Sequence, residues 1–163
     1  RSKPGHDHAT PSGNGIAAQA LLKLSFLTGN QDYARAAERT IALFHSGMTS
    51  RPSGQAAMML ALSDMLDSTR TVVIRGPEPS VRDWERALGE RYRPSTLVLG
   101  IPDTVEGPLP AILAKPSGSL QADGVNAWVC EGVTCLAPVH ALEALLDVLD
   151  GADRKSRAGD AGL

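Results

Sequence analysis

Residues 71–77 read Thr71-Val72-Val73-Ile74-Arg75-Gly76-Pro77. Four β-branched side chains in a row, closed by Gly-Pro, predict a short strand covered on both faces. Beyond it the period changes to that of a helix, with Ser80 as a cap and Val81, Trp84, Ala87 and Leu88 as the apolar stripe. Arg93-Pro94 ends that segment, and Thr96 to Leu99 begins a second strand. Strand, helix and strand with joints this short predict a right-handed parallel βαβ unit. Downstream, Pro102 to Gly124 carries four prolines and reads mostly as loop. Asn126 to Cys130 then reads as a third strand and Pro138 to Leu149 as a last helix, completing a small, mainly parallel α/β unit over residues 70–150. The tail, residues 151–163, is Gly, Ala and alternating charge, and is expected to be disordered.

Upstream of the strand the pattern is helical throughout residues 12–69. Ile16, Ala20, Leu24 and Leu27 recur at helical spacing, widened by Leu21, Leu22 and Phe26, which predicts a buried helix. Ser12 or Asn14 can cap its start, and Gly29 suits the left-handed residue at its end. Asn30 caps a second helix whose inner face is Tyr33, Ala36, Ala37, Ile41 and Phe44, with Gly47 as its stop. So short a joint makes the two an antiparallel hairpin. Pro52 opens a third segment through Ala56, Met59, Leu62 and Leu66 that is apolar nearly all round, and is expected to be surrounded by protein. Residues 1–11 have no apolar periodicity and read as a loop or cut linker. The fold class expected is therefore α+β, a helical hairpin plus third helix packed on the α/β unit.

Of 163 residues, 37 are Leu, Ile, Val or Phe, about 23%, which lies above the range typical of disordered chains. Sixteen basic and eighteen acidic side chains give a charge of -2, which argues against nucleic acid or an acidic membrane as partner. No apolar run approaches the roughly 20 residues of a membrane span, and no secretory signal stands at the start. A cytoplasmic location is expected. The first residue, Arg1, is not Met, and the chain reads as a piece of a longer protein whose remainder would be its partner.

The cysteines, Cys130 and Cys135, are separated by Glu-Gly-Val-Thr, so only a turn brings them together, and Gly132 makes one possible. They read either as two small core residues or as a structural or regulatory disulfide; the spacing is not Cys-x-x-Cys. His140 extends the run, but a closed zinc site needs a fourth ligand that does not follow locally, and no metal is assigned. His6, Asp7 and His8 read as solvated loop, and His45 as a favourable charge near a helix terminus. The turn Arg75-Gly76-Pro77-Glu78-Pro79 puts prolines where a phosphate loop needs backbone donors. No cofactor is expected. The loop Asp7-His8-Ala9-Thr10-Pro11-Ser12-Gly13-Asn14 lies at the mouth of the first helix and is rich in donors and acceptors. Capping explains Ser12 and Asn14; binding of an anionic or polyhydroxyl ligand at the helix start is the functional alternative.

Three segments taken together resemble the family of spermatogenesis-associated protein 20 and its bacterial relatives. They are Asp7 with Ala9-Thr10-Pro11-Ser12-Gly13-Asn14, Thr28-Gly29-Asn30 through Tyr33, and Ala127-Trp128-Val129-Cys130-Glu131 through Thr134-Cys135 and Pro138. The resemblance covers roughly Asp7 to Leu149 and implies the C-terminal region of a protein with an N-terminal thioredoxin-like domain and an α/α toroid of the six-hairpin glycosidase type. It makes residues 12–69 the end of the toroid, places any redox regulation in a domain outside this chain, and puts Asp7, Ser12 and Asn14 where six-hairpin enzymes hold sugar groups. His8 and Gly15 stand where the family commonly has Gly and Ser. A carbohydrate-processing or carbohydrate-binding toroid and a purely structural segment are the alternatives.

Overall fold

The structure, a computed structural model, describes residues 4–67, 69–116, 124–132 and 134–160, with residues 152–160 described by backbone alone. The chain is α+β and forms two compact units: Arg1–Thr69 with Leu109–Ala114, and Arg70–Pro108 with Lys115–Leu163. The segment Leu109–Ala114 thus groups with the helices, although its position in the chain places it among the strands.

The first unit is built from α1 (Gly13–Thr28), α2 (Gln31–Ser50), a single 3-10 turn (Pro52–Gln55) and α3 (Ala56–Leu66). Ser12 Oγ accepts from Gly15 N at 3.1 Å and caps α1, while Gly29, at φ 72°, closes it. Asn30 Oδ1 accepts from Asp32 N at 2.9 Å and starts α2. The core is Ala18, Leu22, Ala37, Ile41, Met48, Met58 and Ala61. In α1 the buried line is Gly15, Ala18, Leu22 and Ser25. The stripe expected to be buried is turned outward, with Ile16 48% and Leu24 42% exposed. The reason is the close approach that small residues allow. A Cβ added at Gly15 would lie 2.8 Å from Ala57 Cβ and 2.9 Å from Met58 N. Gly15→Ala should therefore destabilise the protein by about 1–3 kcal/mol, the usual range for overpacking, as read by chemical denaturation. An unchanged midpoint would mean that α1 and α3 pack elsewhere. α3 is not enclosed as its composition suggests, because Leu60 is 58% and Leu66 71% exposed. Gly47 does not stop α2, since one glycine inside a helix costs only about 1 kcal/mol.

The second unit holds β1 (Arg70–Gly76), α4 (Glu78–Gly89), β2 (Thr96–Pro102), β3 (Asn126–Glu131), β4 (Thr134–Cys135) and α5 (Leu142–Asp160). The sheet order is β2-β1-β3-β4. β1 and β2 are parallel, Val72 opposite Val98, while β3 runs antiparallel to β1, with Val72 opposite Val129. The sheet is thus mixed, and the expectation of a mainly parallel one is corrected. β2 leaves at Pro102, level with Gly76, and β3 enters at Asn126, level with Arg75. β3 therefore starts at the end of the sheet where β2 finishes, whereas a parallel partner would have to start at the opposite end.

Val72 and Ile74 of β1, Ala127 and Val129 of β3, Val81, Trp84 and Leu88 of α4, and Leu145 and Leu149 of α5 form one cluster, so both helices cover the same face. Ser80 lies inside α4 and does not cap it. The helix opens instead at Glu78-Pro79, because a first-turn proline gives up an N–H that has no partner there. After β4 the chain stays beside β3: Leu136 N donates to Val129 O, and Ala127 and Val139 exchange two hydrogen bonds. The register shifts by one residue between Cys130↔Cys135 and Ala127↔Val139, a bulge next to Pro138, which has no N–H to pair. α5 begins at Leu142 and continues to Asp160, past the expected disordered start at Gly151. Ala, Arg and Lys are strong helix formers, and Gly151 and Gly159 do not outweigh them. Residues 161–163 of that tail lie outside the described residues.

Candidate functional site

The loop before α1 is fastened at several points. Asp7 N donates to Gly54 O at 2.8 Å, and Asn14 Nδ2 donates to Pro4 O at 2.8 Å. Both oxygens of the Asp7 carboxylate accept backbone amides: Oδ1 from Ser12 N at 2.7 Å and Oδ2 from Ala57 N at 3.0 Å. Ser12 is the N-cap of α1, and Ala57 stands in the first turn of α3. One carboxylate therefore satisfies donors at two helix starts, each of which presents N–H groups without intrahelical partners and the positive end of a helix dipole. The Ala57 amide, followed by that of Ser12, holds the Asp7 carboxyl below the usual Asp range, against the opposing effect of desolvation. Ala57 O in turn accepts from Gln19 Nε2 at 2.9 Å, so the Ala57 backbone is engaged through both its N–H and its C=O.

Asp7, Ser12 and Asn14 are thus brought together, with both carboxylate oxygens of Asp7, the hydroxyl of Ser12 and the amide nitrogen of Asn14 bonded to the chain itself. Two clefts border Asp7. One, of 600 Å³, is lined by His6, Asp7, Gly47, Ser50, Arg51, Gly54 and Gln55. There Gln55, 8% exposed, has an Oε1 with no hydrogen-bond partner. The other, of 290 Å³, is mostly apolar, with Ile16, Ala56 and Leu60 among its walls. The His6 and His8 rings meet edge to face at 4.5 Å.

In the second unit, Cys130 and Cys135 form a disulfide between directly opposed residues of β3 and β4. The bond from Leu136 N to Val129 O makes this a non-hydrogen-bonded pair, the closer of the two antiparallel spacings, and the Cα atoms are 3.9 Å apart. Gly132, at φ 58°, supplies the positive φ that the tight turn needs. Cys130 is fully buried and Cys135 half-buried. Lys115 Nζ donates to Cys135 Sγ at 3.2 Å, a neighbour that no motif announces. His140 does not join the cysteines. Its Nδ1 lies 2.6 Å from Asn126 Oδ1.

Asp150 of α5 is clasped by two arginines, Arg91 through an ion pair and Arg93 Nη2 at 2.7 Å. Hydrogen bonds from Arg91 and then Arg93 hold its carboxyl below the usual range. They border a 340 Å³ cleft between α4, β2 and α5.

No family model matches the chain, and no solved structure matches it. Curated relatives do. The chain is similar to spermatogenesis-associated protein 20. It is 25% identical to the human protein over 85% of this chain and 18% of that one, and 32% identical to the rat protein over 54% of this chain and 11% of that one. The likeness is partial, and the chain spans less than a fifth of the length of either relative. Among the described residues no helix is long and apolar enough to cross a membrane.

Proposed function

We propose that this chain is the C-terminal region of a longer protein akin to spermatogenesis-associated protein 20, and that its own role is structural and not catalytic. The observation that carries this reading is the Asp7 carboxylate, whose two oxygens are both engaged by backbone amides at helix starts. A side chain spent in this way joins two helices and has little left to offer a reacting group. The outward apolar residues Ile16, Leu24, Leu60 and Leu66 support the same reading. An arc of a helical ring would leave such residues for neighbours contributed by the rest of the parent chain, and any thioredoxin-like redox chemistry belongs to that remainder. The sugar-binding alternative draws on one observation, the unpartnered Gln55 Oε1 beside the Asp7 cleft, since a hydroxyl donor would complete it.

A melting series separates the two. The structural reading expects Asp7→Ala to lower the melting temperature by several degrees, and a panel of mono- and disaccharides to leave the intact protein unmoved. A sugar that raises the melting temperature of the intact protein but not of Asp7→Ala would replace the structural reading with the binding one.

A further inference from the structure

We infer that the Cys130–Cys135 bridge is a redox-active site that exchanges with dithiols, with Cys135 as the exchanging sulfur, Cys130 as the resolving one and Lys115 as the positioning cation. The inference is independent of the structural role proposed above and stands on three observations. The two residues differ in access, Cys130 being fully buried and Cys135 half-buried. An ammonium, Lys115 Nζ, lies 3.2 Å from Cys135 Sγ. The pair joins adjacent short strands across a tight turn, so opening it leaves the β1–β3 ladder intact.

The chemistry follows from that asymmetry. An incoming thiolate reaches Cys135 Sγ; the S–S electron pair leaves on Cys130 Sγ, which takes up a proton in its apolar surroundings. The second thiolate of the same reductant attacks its own sulfur in the mixed disulfide, and that bond's electron pair leaves on Cys135 as a thiolate facing Lys115. The dithiol is oxidised to a disulfide by two electrons and the protein bridge is reduced. One of the dithiol's two protons resides on Cys130 and the other goes to solvent. In the opposite direction, the Cys135 thiolate attacks an external disulfide and Cys130 resolves the intermediate. The partner class is a dithiol, since a monothiol would have to recruit a second molecule for the second step.

Dithiothreitol is a sufficient probe. In the full chain carrying Cys130→Ser, alkylation of Cys135 by iodoacetamide across a pH series should show a midpoint about one unit below the 8.5 of a free cysteine. Adding Lys115→Met should raise that midpoint by about one unit, and Lys115→Arg should restore it, because the charge and not the packing sets it. In the unsubstituted protein, dithiothreitol should open the bridge with the far-ultraviolet spectrum retained, and peptide mapping should find Cys135 alkylated before Cys130. One shared midpoint for all three variants, Cys130 labelled first, or a bridge that opens only in denaturant would each overturn the inference.

Discussion

Trp84→Ala is expected to lower the stability of the chain by about 3–5 kcal/mol, the usual loss when a buried tryptophan is cut back to a methyl group. Trp84 is 4% exposed and shares a cluster with Val72, Ile74, Val129 and Leu145. Through it α4 is held to the sheet face that α5 also covers. The protein has two tryptophans. Trp128, on β3, is therefore a lone fluorescent reporter in the variant, and urea unfolding followed at its emission gives the loss directly. Tyr92, 90% exposed, is the control, and Tyr92→Ala should stay within about 0.5 kcal/mol of the parent. Equal losses from the two would mean that α4 does not dock through Trp84.

The second large effect is on acid stability. The Asp7 carboxyl titrates lower in the folded chain than an Asp carboxyl ordinarily does. The unfolded chain therefore binds its proton first as pH falls. The stability it contributes is fully present above about pH 4 and is lost as pH drops through the folded value. Asp150, lowered by Arg91 and Arg93, has the same sign. Asp64 has the opposite one: desolvation raises its pKa ahead of the lowering by Lys23 and the raising by Asp67, so its protonation favours the folded state as pH falls. Thermal melts across a pH series should show Asp7→Ala below the parent at neutral pH, with the gap closing in acid. A gap that stayed constant into strong acid would show that the charge of Asp7 contributes nothing.

Sequence patterns carry the parts of this fold that are local. The β-branched run at Thr71–Ile74, the caps Ser12 and Asn30, and the left-handed Gly29 are each readable because the chemistry that fixes them lies within a few residues. The antiparallel entry of β3 is not readable, since strand direction depends on where a long loop rejoins the sheet. The buried line of α1 was obscured for a different reason. It runs through Gly15 and Ala18, which pack by being small, whereas hydrophobic periodicity weights Ile16 and Leu24. β4, two residues long, has too little sequence to show a period. Among the candidate site residues, the capping by Ser12 is legible from its position. The bond from Ala57 N to Asp7 spans fifty positions, and that from Lys115 to Cys135 spans twenty. Neither leaves a mark in local composition.

Hydrogen exchange at two backbone amides, Ser12 and Ala57, examines most directly whether one carboxylate fastens both helix starts. In the native chain both amides should exchange slowly, and in Asp7→Ala both should lose protection together while the amides of β1 keep theirs. Protection at Ser12 and Ala57 that survives the loss of Asp7 would contradict the structural role given to that residue, and with it the reading of this loop as a fastening.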